Sequence, residues 1–330
     1  MKTRSVPDQV SSIKGSTPWI VIIALLSVYI FWGGTYLGMK VAIETMPPFW
    51  MAGTRFLIAG GVLYVLARMQ GEGRPSAREW RGAGIVGALL LLGGNGMVAW
   101  AEQRVPSAIA SMLVATVPLW IIAFNWAGSR KAPGIGTIAG VILGFSGIVV
   151  LVSHTGGESD KSLDAIGLIT LVIASICWSA GSMYSRRARL PNSPMMSTAV
   201  QMLVGGALLL IASYFMGDWS KLHPSDISLR SYLALGYLIF FGSICGYTAY
   251  IWLLKSADPT WVSTYAFVNP IVALFLGWCL ADEQLTVNSL VASVIIIAAV
   301  IVITVFGRKP QSSTTRIQPS NVTAAATSKR

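Results

Sequence analysis

The chain repeats itself. Trp32, Pro48, Leu57, Gly60 and Leu63 return 146 residues later as Trp178, Pro194, Leu203, Gly206 and Leu209. Further on, Gly94, Trp100, Ser111 and Pro118 return at an offset of 152, as Gly246, Trp252, Ser263 and Pro270. The step between the two offsets puts extra length into the second copy, within Gly217–Leu229. Whatever fold the chain adopts must be built twice from one pattern.

Each copy contains five apolar runs, near 19–39, 48–67, 84–101, 107–127 and 134–153, then 166–185, 195–215, 231–253, 260–281 and 286–306. Each is close to the ~20 residues a helix needs to cross a hydrocarbon core of ~30 Å. Composition agrees: 54% of residues are hydrophobic and 11% charged, with a mean hydropathy of +0.65, far too apolar for a soluble domain. Uninterrupted runs of this length do not show the alternation of a β-barrel strand. Five is odd, so the second copy enters the bilayer from the opposite side. The expected fold is all-α and polytopic, with ten transmembrane helices arranged as two inverted-topology five-helix repeats.

The boundaries follow. Residues 1–18 form an N-terminal tail, 19–153 the first repeat, 154–165 a linker, 166–306 the second repeat, and 307–330 a tail rich in Ser, Thr, Ala and Pro that is expected to be disordered. The first apolar run is long enough to span and is expected to remain as an anchor. Loop cations fix the orientation. Arg68, Arg74, Arg78, Arg81, Arg130, Lys131, Arg186, Arg187, Arg189 and Lys255 fall on the side of both tails, against Lys40, Arg104, Lys161, Lys221 and Arg230 on the other. The positive-inside rule then makes both termini cytoplasmic in a cell inner (plasma) membrane protein. The net charge of +11 is explained by this topology. Its cations are scattered over inner loops that can touch anionic lipid, with no folded basic domain to hold nucleic acid.

Gly94–Asn95–Gly96, Trp100–Ala101–Glu102, Val105–Pro106–Ser107 and Ala115–Thr116–Val117–Pro118–Leu119, with Phe31–Trp32–Gly33 and Arg55–Phe56–Leu57, resemble the drug/metabolite transporter superfamily. Within it, the chain is similar to EamA-domain exporters of the YedA type over nearly all of residues 19–306. The resemblance implies a ten-helix inner-membrane secondary carrier that exports small metabolites or toxic analogues. Small four-helix relatives exchange protons through a carboxylate on the first helix. Here that helix has none, and that coupling scheme is not carried over.

Arg55 is the only charge inside any apolar run. An arginine at that depth costs about 2.5–3.5 kcal/mol on insertion scales unless a partner or water reaches it, so it must face the bundle interior. Glu102, at a similar depth on the outer end of the third helix, is a reasonable partner. The pair reads either as a structural ion pair or as a gate or substrate contact, with Glu102 a candidate for proton coupling. In the second repeat Gln201 replaces Arg55.

Asn95 and Tyr247 are repeat equivalents, the first between Gly94 and Gly96 and the second after Gly246. As polar groups in hydrocarbon they must point inward, either into a central cavity or into an interhelical hydrogen bond. Trp32 and Trp178 form a second symmetric pair, deep in their helices and away from the interfaces where Trp19 and Trp50 look like ordinary anchors. They suit a cavity wall or a packed core. Pro118 and Pro270, the latter preceded by Asn269, are expected to interrupt the fourth and ninth helices as hinges or static kinks.

Gly136, Gly140 and Gly144 recur every four residues and let helices approach closely, within a monomer or across a homodimer. His154 and His223 both lie in loops, and no run holds paired carboxylates or a metal-type cluster. An enzyme, a cofactor and a metal are therefore not expected, and Cys177, Cys245 and Cys279 suggest no disulfide framework. No P-loop is present. The sequence points to a gradient-driven exporter of small, amino-acid-like or drug-like solutes working by alternating access. An importer or exchanger is the nearest alternative, and a channel lacks its usual charged rings or filter motifs.

Overall fold

The computed structural model describes residues 18–105, 110, 113–130, 132–153, 164–281 and 287–306. The expected tails, most of the linker and the Asp282–Leu285 loop lie outside them. Among the described residues there are helices and no strands. We number the helices α1 (Pro18–Ala42), α2 (Pro48–Met69), α3 (Ala77–Ala101), α4 (Val117–Ser129), α5 (Ile135–Ser153), α6 (Ala165–Ser185), α7 (Pro194–Phe215), α8 (Leu229–Ser256), α9 (Tyr265–Ala281) and α10 (Val287–Phe306). Six of them, α1, α2, α3, α6, α7 and α8, are long and apolar enough to cross a membrane. Each half of the chain contributes three.

Local chemistry sets the ends. Pro48 and Pro194, repeat equivalents, open α2 and α7 at positions where the missing N–H has no helical partner anyway. Ser76 and Glu79 form a capping box at the start of α3, and Asp164, Ser193 and Ser228 cap α6, α7 and α8 through their side chains. After α2 and α7 the chain turns at Gly71 (φ +83°) and Gly217 (φ +74°), which again stand 146 residues apart. These left-handed conformations favour glycine. At the far end of α3, Arg104 pairs with Asp164 at 3.0 Å and stacks on Trp100, tying the first half to the start of the second.

The two most extensive helix contacts are α2 on α7 and α5 on α10, each between helices that occupy the same place in the two repeats. The α2–α7 contact is reciprocal at atomic detail. A Cβ on Gly60 would lie 2.9 Å from the Leu203 nitrogen and 3.0 Å from the Ala199 oxygen; one on Gly206 would lie 2.9 Å from the Leu57 nitrogen and 3.0 Å from the Gly53 oxygen. Backbones meet here because there is no side chain between them. In α5, Gly140 and Gly144 are filled by Ile303 and Ala299 of α10 and by Phe267 of α9, so these two positions of the glycine stripe pack within the chain.

The principal core lies between the halves and gathers Trp32, Phe56, Leu90, Leu91, Tyr247, Tyr250 and Tyr265. On the outside, large apolar side chains such as Ile23, Val65, Ile142, Ile169, Val294 and Ile301 stand exposed, as lipid-facing positions do.

Candidate functional site

Two helices depart from regular geometry at the same place in each half. The middle of α3, Ala88–Gly96, and the middle of α8, Leu238–Tyr247, are π-helical. Wider turns loosen the backbone hydrogen bonding, and Gly93, Gly94 and Gly96 in one and Gly242 and Gly246 in the other let neighbouring side chains reach the exposed main chain. The two tryptophans use this space crosswise. A Cβ on Gly94 would lie 2.6 Å from the ring of Trp178, and one on Gly246 would lie 2.6 Å from Nε1 of Trp32. Each half thus seats the tryptophan of the other. Trp32 Nε1 donates to the Gly242 carbonyl at 2.9 Å, inside the π-helical stretch of α8, and Trp178 Nε1 donates to the Tyr250 hydroxyl at 3.0 Å.

Around these rings lies a cavity lined by residues of both halves. Its aromatic wall is one connected cluster: Trp32 to Trp178 at 5.5 Å and to Tyr265 at 5.0 Å between centroids, both edge-on, with Tyr250 at 4.9 Å from Trp32 and 5.6 Å from Trp178. Edge-on and tilted arrangements are the favoured ones for such rings. Trp32, Asn95, Trp178, Tyr247, Asn269 and Arg55, singled out from the sequence, all line this space.

Arg55 is 2% exposed. Its Nε donates to Ser243 Oγ at 2.6 Å and its guanidinium sits 4.7 Å over the Phe56 ring, while Nη1 has no partner. Gly242 leaves room for it, since a Cβ there would lie 2.8 Å from Nη2. Glu102 is not its partner. Both Glu102 oxygens are shut off from solvent with no hydrogen bond, and the charge that acts on them is Lys40 of α1. Arg55 turns toward α8, whereas Glu102, just beyond α3, lies outside the cavity. Burial pushes the Glu102 carboxyl up to about 8, with the Lys40 ammonium acting in the opposite direction.

The two prolines differ from each other, and Pro118 differs from expectation. Pro270 is inside α9, where it removes one backbone donor. Pro118 instead opens α4, in the first turn, where its missing N–H breaks nothing. The interruption of the fourth segment falls before it, at Ala115–Thr116, where the Thr116 hydroxyl bonds the Leu113 carbonyl at 2.6 Å. Asn269 is 2% exposed and its Oδ1 has no partner.

Several lining residues were not singled out beforehand: Thr35, Tyr36, Ser175, Tyr265 and the π-helical Gly242. Tyr250 supports the wall from behind, held by Trp178 and by Ser182 at 2.6 Å. No group of three His, Cys, Asp or Glu among the described residues is placed to hold a metal.

The EamA-like transporter family profile matches residues 19–153 and again 165–305. The chain belongs to this family. It is 40% identical over 282 residues to the uncharacterized inner membrane transporter YedA of Escherichia coli K12, covering 85% of this chain and 89% of that protein. It is 25% identical over 280 residues to the uncharacterized transporter YoaV of Bacillus subtilis strain 168, covering 84% and 94%. A solved structure titled only "Crystal structure of protein" shares the fold, with a TM-score of 0.74 at 20% identity over 90% of this chain and all of that one. The relatives are named as transporters, not enzymes. With its membrane-length apolar helices, this EamA family member is a multi-pass inner-membrane transport protein.

Proposed function

We propose that the chain is a secondary carrier that exports small metabolites or drug-like solutes, amino-acid-like ones among them, by alternating access. In this reading the two halves are inverted-topology repeats of five spans each, both termini are cytoplasmic, and the working unit is a monomer. The observation that carries it is the cavity between the halves, walled by equivalent residues from each: Trp32 with Trp178, Asn95 with Tyr247. Carriers built from inverted repeats bind their solute at such an interface, near the bilayer midplane. Reciprocal α2–α7 packing supports a pivot between the halves, because the same contact is made from each side of a two-fold arrangement. The π-helical stretches and Pro270 supply irregular backbone where it lines a cavity, the place a membrane protein tolerates it.

Export as the direction rests on the family resemblance alone; the sequence carries no nucleotide-binding pattern, which leaves an ion or solute gradient as the driving force. Glu102 is the candidate coupling group, since a carboxyl buried without a hydrogen-bond partner, its pKa raised by burial, can carry a proton. The test is counterflow in proteoliposomes of the purified full chain, alongside a growth screen of overexpressing cells against toxic amino-acid, nucleoside and cationic compounds. Saturable exchange and resistance support an exporter. Unsaturable ion current, or sensitisation in place of resistance, contradicts it. Loss of pH-driven transport in Glu102→Gln supports coupling, and unchanged transport removes it.

A further inference from the structure

The cavity is lopsided. On the side of the Trp32–Trp178 pair where α1 ends and α6 begins, it is lined by Tyr36, Met39 and Val98. Their repeat equivalents on the opposite side, where α1 begins and α6 ends, are Ser182, Ser185 and Tyr250. None of these three lines it, and they are 0%, 3% and 0% exposed. A chain built twice from one pattern has filled the space at one end of its cavity and left it free at the other.

Hydrogen bonds hold the filled end together. α1 packs mainly on α8 and α9, and α6 on α3 and α4, so each half lends its first helix to the other. Tyr250 belongs to the first of these groups, Trp178 and Ser182 to the second, and the bonds between them cross from group to group. Trp178 Nε1 donates to the Tyr250 hydroxyl at 3.0 Å, the Tyr250 and Ser182 hydroxyls bond at 2.6 Å, and Ser182 donates to the Trp178 carbonyl at 2.6 Å. Each hydroxyl has one proton. With the Ser182 proton on the carbonyl, Tyr250 is the donor to Ser182, and the three bonds run head to tail in a closed ring. Bonds aligned in this way strengthen one another. Nearer the end of the bundle, Lys255 of α8 also reaches across, to the Pro191 carbonyl just beyond α6, at 3.4 Å. At the other end the pair equivalent to Tyr250 and Ser182 is Val98 and Tyr36. Valine has no polar side-chain atom, so no such ring can form there.

Building on the carrier reading, we infer that the Trp178–Tyr250–Ser182 ring is a latch that holds the cavity shut at the end where α1 begins and α6 ends. With both tails cytoplasmic, that is the end from which an exporter loads, so release of the Tyr250 hydroxyl is the step that admits solute. Tyr250 is a positioning residue: it holds Trp178 of the opposite group and does not itself line the cavity.

The test uses purified full-length protein without solute, in lipid nanodiscs where both faces meet water, with Cys177, Cys245 and Cys279 replaced. Single cysteines report on the two ends: Ser185→Cys, buried beyond the ring, and Met39→Cys at the equivalent position. The readout is the rate of labelling by a water-soluble maleimide, which requires no transport. Tyr250→Phe keeps the aromatic ring and removes the hydroxyl. It is expected to raise the Ser185→Cys rate ~10-fold, on the usual strength of hydrogen bonds, and to leave the Met39→Cys rate as it was. Ser182→Ala is expected to act in the same direction more weakly, since the Trp178–Tyr250 bond remains, and to add little to Tyr250→Phe. An unchanged Ser185→Cys rate in Tyr250→Phe overturns the latch, and so does an equal rise at Met39→Cys, which would mean general loosening. Should Tyr250→Phe fail to fold, Ser182→Ala decides by the same two criteria. Counterflow with the amino-acid, nucleoside and cationic compounds of the growth screen separates the two readings. Labelling that follows the ring without exchange sinks the carrier and leaves the latch; exchange with Ser185→Cys labelling unmoved by Tyr250→Phe sinks the latch and leaves the carrier.

Discussion

Replacing Gly60 by alanine puts a methyl group against backbone, where no side chain can swing away. The new Cβ would stand 2.9 Å from the Leu203 nitrogen, and ordinary contact begins at 3.4 Å. α2 and α7 must therefore part by about 0.5 Å, enough to forfeit roughly a quarter of the dispersion attraction of atom pairs across the contact. Overpacking of this kind destabilises by about 1–3 kcal/mol. Gly206→Ala meets the same two backbone groups of the opposite repeat at the same distances, and an equal loss is expected. Either methyl separates the same two helices, so the double variant should lose less than the sum, with a coupling of about 0.5–3 kcal/mol. Gly61→Ala is the control, since nothing lies within 4 Å of its Cβ, and it should be neutral or stabilising. Reversible unfolding of the purified protein in mixed micelles measures all four. The reasoning fails if Gly60→Ala and Gly206→Ala differ widely, or if their effects add within about 0.3 kcal/mol.

Tyr247→Phe deletes the donor to Gln201 Oε1 and leaves that buried acceptor open, so a loss of about 1–3 kcal/mol is expected in the same unfolding assay; an unchanged midpoint contradicts the bond. Glu102 gives a pH signature. Its carboxyl is raised from 4.5 to about 8 in the folded protein, so its contribution is fully present below 4.5 and is lost as pH rises toward 8. Glu102→Gln should match wild type in thermal melts at the acid end and exceed it above pH 8, and parallel curves across the whole range would show that the carboxyl is not buried.

Arg55, the Trp32–Trp178 pair and the Asn95–Tyr247 pair could be found from the sequence because each carries a signal that needs no partner: a charge in an apolar run, or a polar or aromatic residue recurring at a fixed offset. Tyr250 and Tyr265 carry no such signal. Their equivalents 152 residues earlier are Val98 and Leu113, so the half of the aromatic wall that breaks the symmetry was invisible to a search for symmetry. The π-helical stretches left a trace in the glycines at 93, 94, 96, 242 and 246, but glycine also serves close packing, and composition cannot separate the two. Ser243 could not be found at all, because which face of α8 meets Arg55 is set by packing. The same ignorance of azimuth made Glu102 look like the partner of Arg55. Pro118 misled for a different reason: a proline deep in an apolar run reads as a kink, yet the helix had already broken at Ala115–Thr116 and the proline only starts the next one.

The central claim is that the two halves are threaded through the membrane in opposite senses around the cavity. The loop between α2 and α3 and its equivalent between α7 and α8 should then face opposite sides. The measurement is labelling of single cysteines, Gly73→Cys and Ser225→Cys, by a membrane-impermeant maleimide in a background with Cys177, Cys245 and Cys279 replaced. Intact cells should label Ser225→Cys and leave Gly73→Cys unlabelled until the membrane is permeabilised. Labelling of both positions from one side would mean that the repeats run in the same sense, and the shared cavity could not open to each face in turn.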